Sequence, residues 1–162
     1  MKSKFVWDLK RRQMLENLLH EGLSVSRIGN AMDLPKPAIY AEIRKGVSME
    51  EYAQGRYIKY TAERSIENQL EELKLYLFEG EQGHVWDFRR RQMLENLLHE
   101  GLSVPKIANA MDLPRGTIYT EIRKGVSMEE YAQGRYVKYT AERSIENQLE
   151  ELRRYLVEGE QD

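Results

Sequence analysis

The chain has 162 residues, 25 Lys plus Arg against 27 Asp plus Glu, a net charge of -2 and no cysteine. That length suits one ordinary domain or two small ones, and the missing thiols exclude disulfides, thiolate zinc sites, iron–sulfur clusters and a cysteine nucleophile. No apolar run approaches a membrane span, and the basic start Met1-Lys2-Ser3-Lys4 leads into no apolar segment, so a soluble cytoplasmic protein is expected, nucleoid-associated if bacterial.

A repeat organises everything else. Val6-Trp7-Asp8 returns as Val85-Trp86-Asp87, and from there residue n aligns with n+79 without a gap; between 6–83 and 85–162 only 14 of 78 positions differ. Identity at that level marks tandem duplication of a whole small domain rather than a solenoid repeat. The expected organisation is copy one at 1–79, a short polar linker at 80–84 and copy two at 85–162.

Within each copy the periodicity is helical throughout. Asp8 or Asp87 should cap a first helix that buries Leu15, Leu18 and Leu19, or Leu94, Leu97 and Leu98, and ends at Gly22 or Gly101. Ser24 or Ser103 opens a short second helix carrying Val25, Ile28 and Met32, or Val104, Ile107 and Met111, on one face. Asp33-Leu34-Pro35 or Asp112-Leu113-Pro114 breaks it. A third helix has Ile39 and Ile43, or Ile118 and Ile122, one turn apart and closes at Gly46 or Gly125. Ser48-Met49-Glu50-Glu51 and Ser127-Met128-Glu129-Glu130 are capping boxes that start another short helix, which Gly55 or Gly134 interrupts. A longer helix follows, with a heptad seam at Ile66, Leu70, Leu73 and Leu77, or Ile145, Leu149, Leu152 and Leu156. The fold class is therefore all-α, two tandem three-helix helix-turn-helix units, each followed by a capped short helix and a longer heptad-bearing helix.

Residues 104–123 match the helix-turn-helix pattern. A small residue, Ala108 or Gly29, stands where two helices cross closely, and Ile107, Met111, Leu113 and Ile118 lock the second helix against the third. Asp112 occupies the turn position where glycine is usual, which Asp tolerates because it can adopt left-handed backbone angles. The segments Glu100-Gly101-Leu102-Ser103, Ile107-Ala108 and Thr117-Ile118-Tyr119-Thr120-Glu121-Ile122-Arg123-Lys124 resemble the N-terminal helix-turn-helix domain of insertion-sequence-thirty family transposases. Glu21-Gly22-Leu23-Ser24 and Ile39-Tyr40-Ala41-Glu42-Ile43-Arg44-Lys45 carry the same resemblance in copy one. It covers about the first half of each copy and implies DNA binding by the third helix. The transposases' acidic catalytic triad lies in a separate large domain for which this chain has no room, so recognition is carried over and strand transfer is not.

The residues expected to meet DNA line the outer face of the third helix: Lys36, Ala38, Tyr40, Ala41, Arg44 and Lys45, and Arg115, Thr117, Tyr119, Thr120, Arg123 and Lys124. Arg suits guanine edges, Thr a base or a thymine methyl, and Lys a phosphate. Seven of the 14 differences between the copies fall within residues 26–41, which predicts two related but non-identical half-sites. The expected partner is double-stranded DNA, bound by a non-enzymatic regulator, a repressor or an accessory factor of a mobile element. The alternative class is an α-helical protein-interaction adaptor with a degenerate helix-turn-helix.

Other chemistry is sparse. His20 and His99 are one position repeated and His84 lies in the linker, so no metal-ligand or catalytic histidine spacing exists, and no cofactor is expected. Trp7 and Trp86 read as core anchors; Tyr52, Tyr57, Tyr60 and their copies read as packing groups or phosphate donors. The heptad helices are expected to pair within one chain as a pseudo-dimer, with pairing between chains, a protein partner, or packing on their own unit as the alternatives, and the first, more apolar seam is expected to be the more buried. Finally, the charge is partitioned. Residues 36–60 hold five basic and three acidic side chains, residues 61–83 two and six, and copy two repeats the pattern, while Lys2, Lys4, Lys10, Arg11 and Arg12 form a basic arm.

Overall fold

A computed structural model describes residues 6–80 and 85–159. Lys2, Lys4, His84 and most of the linker lie outside those residues. Among the described residues the chain is all-helical, without a strand: α1 (Leu9–His20), α2 (Val25–Met32), α3 (Lys36–Gly46), α4 (Met49–Ala53), a 3₁₀ turn at Tyr57–Lys59 and α5 (Ala62–Glu79). Copy two repeats them as α6 (Phe88–His99), α7 (Val104–Met111), α8 (Arg115–Lys124), α9 (Met128–Ala132), a 3₁₀ turn at Tyr136–Lys138 and α10 (Ala141–Glu158).

Local chemistry accounts for these boundaries. Asp8 accepts from the backbone N–H of Arg11 and Asp87 from that of Arg90, each at 2.8 Å, so both first helices begin with an occupied N-cap. Ser24 caps α2 through Arg27 N at 3.3 Å, whereas Ser103 makes no such bond and α7 relies on Pro105 in its first turn. The segment read as a helix-turn-helix folds as two helices joined by residues 33–35 and again by 112–114, and Asp33 and Asp112 are left-handed at φ 57° and 54°. The capping boxes close at both ends: Ser48 and Glu51 exchange bonds of 2.8 and 3.0 Å, as do Ser127 and Glu130.

Each unit has its own core. Leu15, Leu19, Val25, Ile28, Ile39, Ile43, Val47 and Tyr60 form the first, with Trp7, Leu18 and Met32 packed against it. Leu94, Leu98, Val104, Ile107, Ile118, Ile122, Val126 and Tyr139 form the second together with Trp86 and Ala108. Both tryptophans therefore pack at the core. Gly46 and Gly125 end their helices where the ring of Tyr60 or Tyr139 lies so close that a Cβ would overlap it, which explains glycine there without any appeal to backbone freedom.

The compact units are offset from the copies. Unit 1 is Met1–Glu72 together with Leu152–Asp162, and unit 2 is Leu73–Glu151. Helix α5 thus begins in unit 1 and ends in unit 2, and the last part of α10 belongs to unit 1. Ile66 and Leu77 are buried, as are Ile145 and Leu156, so the two seams are equally inward-facing. The expectation of a more buried first seam fails because its extra apolar residues, Leu75 and Phe78, are 57% and 38% exposed and stand off the seam.

Candidate nucleic-acid interface

The inner stripe of α3 is Ile39, Glu42, Ile43 and Gly46, all buried, and that of α8 is Ile118, Glu121 and Ile122. With that stripe turned to the core, the opposite face is left to solvent. Lys36, Ala41, Arg44 and Lys45 are exposed on α3, and Ala38 and Tyr40 are half-buried; on α8, Arg115, Thr120, Arg123 and Lys124 are exposed, and Thr117 and Tyr119 are half-buried. All twelve lie away from the inner stripe, and the two tyrosines sit at its margin, in contact with the core.

An aromatic cluster supports that margin. Tyr40 meets Tyr57 edge to face at 6.1 Å, Tyr57 meets Tyr52 at 5.4 Å, and the Arg44 guanidinium lies 4.8 Å above the Tyr52 ring. Copy two repeats these distances with Tyr119, Tyr136, Tyr131 and Arg123. Stacking restricts the arginine's rotamers while leaving its edge open, so fewer conformations are lost on binding a planar acceptor. Burial, then the neighbouring Tyr52 and Tyr40, holds the Tyr57 phenol above its ordinary pKa, and it stays a neutral donor near neutral pH. The 3₁₀ turn that carries Tyr57 also presents exposed Arg56 and Lys59 beside the tyrosine cluster.

The C-terminal end of the helix is tied down. Asn68 Nδ2 donates to the Lys45 carbonyl and Asn147 Nδ2 to that of Lys124, both at 2.9 Å, and Lys45 Nζ stands 3.9 Å from Glu42 Oε2. The hydroxyl of the exposed Thr120 donates to the Gly116 carbonyl at 2.8 Å, which commits its proton.

Behind the face lies a polar node that the sequence analysis missed. Glu42 Oε1 accepts from Arg12 Nε at 2.8 Å, Tyr60 Oη at 2.9 Å and Ser65 Oγ at 2.5 Å; Glu121 Oε1 accepts from Arg91, Tyr139 and Ser144 at the same distances. Arg12 is only 2% exposed, which removes it from the basic arm to which it was assigned. Burial first, and then the facing carboxylate, drives the Tyr60 and Tyr139 phenols far above their ordinary range, so both remain protonated donors. The signal was present in the spacing: 39, 42, 43 and 46 share one helical face, as do 12, 15 and 19, so a carboxylate and a guanidinium stand within apolar stripes.

His20 and His99 approach the Tyr60 and Tyr139 carbonyls at 3.2 Å, each staying in its own unit. Among the described residues no group of three His, Asp or Glu is placed to hold a metal ion, and no helix is long and apolar enough to cross a membrane. No protein-family model matches the chain, and no curated protein or solved structure matches it either.

Proposed function

We propose that the chain is a sequence-specific double-stranded DNA-binding protein of the regulator class, a repressor or a mobile-element accessory factor, which lays α3 and α8 into the major groove at two related half-sites. The observation that carries this reading is the solvent face of α3, where Lys36, Ala41, Arg44 and Lys45 stand exposed on a helix locked from behind by Ile39, Glu42 and Ile43. A rigid helix with a basic, small-residue outer face suits a groove that admits one helix and offers phosphates on both sides. Non-enzymatic action in the cytoplasm belongs to the same reading.

Selection of bound sequences from random duplex DNA, followed by titration of the selected site, tests it. Affinity should fall steeply with salt, and Arg44→Glu with Arg123→Glu should weaken binding by roughly tenfold or more per arginine while leaving helical content unchanged. The exposed Leu75 and Phe78 favour the second reading, a protein-interaction adaptor. Selection that enriches no sequence, together with salt-insensitive binding that survives both charge reversals, decides for the adaptor.

A further inference from the structure

In each unit the guanidinium that holds the Glu42 or Glu121 carboxylate also grips the end of a helix. Arg12 Nη1 donates to the Trp7 carbonyl at 2.6 Å and to the Leu156 carbonyl at 2.7 Å. Leu156 lies in the last turn of α10, where carbonyls lack intrahelical donors and the helix dipole is negative, so a buried cation satisfies both. The Leu156 side chain is 3% exposed. Gly159, at φ 79°, stops the helix by donating to the Tyr155 carbonyl at 2.8 Å, and a Cβ on it would stand 3.2 Å from that of Asp8, the N-cap of α1.

Unit 2 has the same seat. Arg91 Nη1 donates to the Leu77 carbonyl at 2.8 Å, Leu77 is 3% exposed, and Gly80, at φ 72°, packs against Asp87. The occupants differ in sequence. Residues 73–80 read Leu-Lys-Leu-Tyr-Leu-Phe-Glu-Gly and residues 152–159 read Leu-Arg-Arg-Tyr-Leu-Val-Glu-Gly. What they share includes the buried leucine, its carbonyl and the glycine stop. Leu75, which Arg154 replaces, is 57% exposed, whereas Phe78, which Val157 replaces, packs its ring 4.8 Å from that of Phe88, a residue whose counterpart in copy one is Leu9.

We infer that this helical tail is an exchangeable docking element: each seat accepts the tail of the duplicated domain whichever copy supplies it, and a second copy of the chain can supply it too. In this chain the supply is crossed. The tail of copy two completes unit 1, and the tail of copy one completes unit 2. Because Arg12 bonds the tail and the α3 carboxylate with one rigid group, occupancy of the seat also fixes α3, the helix given the reading role above; the docking itself is independent of that role.

Residue-resolved amide exchange on the full chain tests this. Leu156→Asp should speed exchange across 9–46 by about tenfold or more and leave 88–124 at the parent rate, and Leu77→Asp should do the reverse. Leu156→Ala and Leu77→Ala, which introduce no charge, should give the same crossed pattern more weakly. A synthetic peptide of residues 62–80, the tail of the other copy, added to the Leu156→Asp chain, should restore protection of 9–46, as should a peptide of residues 141–159. Loosening of 88–124 by the Leu156 variants, equal loosening of both units by all four, or a peptide without effect overturns the inference. None of these readouts involves DNA, so failure of docking and failure of the DNA reading are separate results.

Discussion

Glu42 sits in the middle of the inner stripe of α3 with no exposed surface, and three donors converge on one of its oxygens while the other makes no hydrogen bond. Burying an ion pair is a poor source of stability in itself, but removing one partner strands the other in an apolar environment. Glu42→Ala should therefore cost unit 1 about 3–5 kcal/mol, read from urea unfolding followed through residues of that unit. Arg12→Met combined with Glu42→Leu should cost well below the sum of the single changes, because neither charge is then left alone. The node was partly legible beforehand. Stripe geometry puts a carboxylate and a guanidinium inside, but not the fact that they meet across 30 residues, and nothing local couples Tyr60 or Ser65 to the pair.

At the scale of the element, helix starts and stops follow from groups a few residues apart, which is why the Asp8, Ser24 and Ser48 caps, the Asp33 turn and the Gly22 stop are legible in the sequence. The capping box of α4 adds a pH dependence. Its Glu51 carboxylate accepts from Ser48 N at 2.8 Å and pairs with Arg64 at 3.0 Å, and these bonds to the anion, the backbone one first, bring its pKa down from 4.5 to about 2. The folded value lies below the unfolded one, so the stabilisation is fully present above about pH 4.5 and is lost as pH falls towards 2. The stability difference between the parent and Glu51→Gln should accordingly shrink between pH 5 and pH 2; a difference independent of pH would reject the assignment. Glu130 shifts in the same direction for the same reasons.

For the whole molecule, the differences between the copies matter most where they reach the surface. Lys36, Ala38 and Ala41 on α3 become Arg115, Thr117 and Thr120 on α8, while Tyr40, Arg44 and Lys45 keep their counterparts. Under the proposed function the shared residues would give the two half-sites a common part. The changed ones would make them differ: a methyl at Ala41 suits a thymine methyl, whereas Thr120 adds an acceptor, its proton being committed to Gly116. Introducing Lys36→Arg, Ala38→Thr and Ala41→Thr together should convert the sequence selected by the full chain from two unlike half-sites to two alike, of the α8 type. An unchanged selected sequence would remove these positions from the specificity.

The duplication, the succession of α-helices, and most of their caps and turns are determined by the sequence alone, because each depends on short-range spacing that is written twice, whereas the 3₁₀ turns at Tyr57–Lys59 and Tyr136–Lys138 are not. Tertiary structure decided three further matters: that Arg12 leaves the surface, that the two seams are equally buried, and that each helical tail completes the opposite copy. The physical reason is range and degeneracy. The bond from Arg12 to Leu156 spans 144 residues, and the tails of the two copies share the leucine and the glycine stop that each seat grips, so those positions could not say which tail fills which seat. Only the summed packing of distant residues distinguishes them.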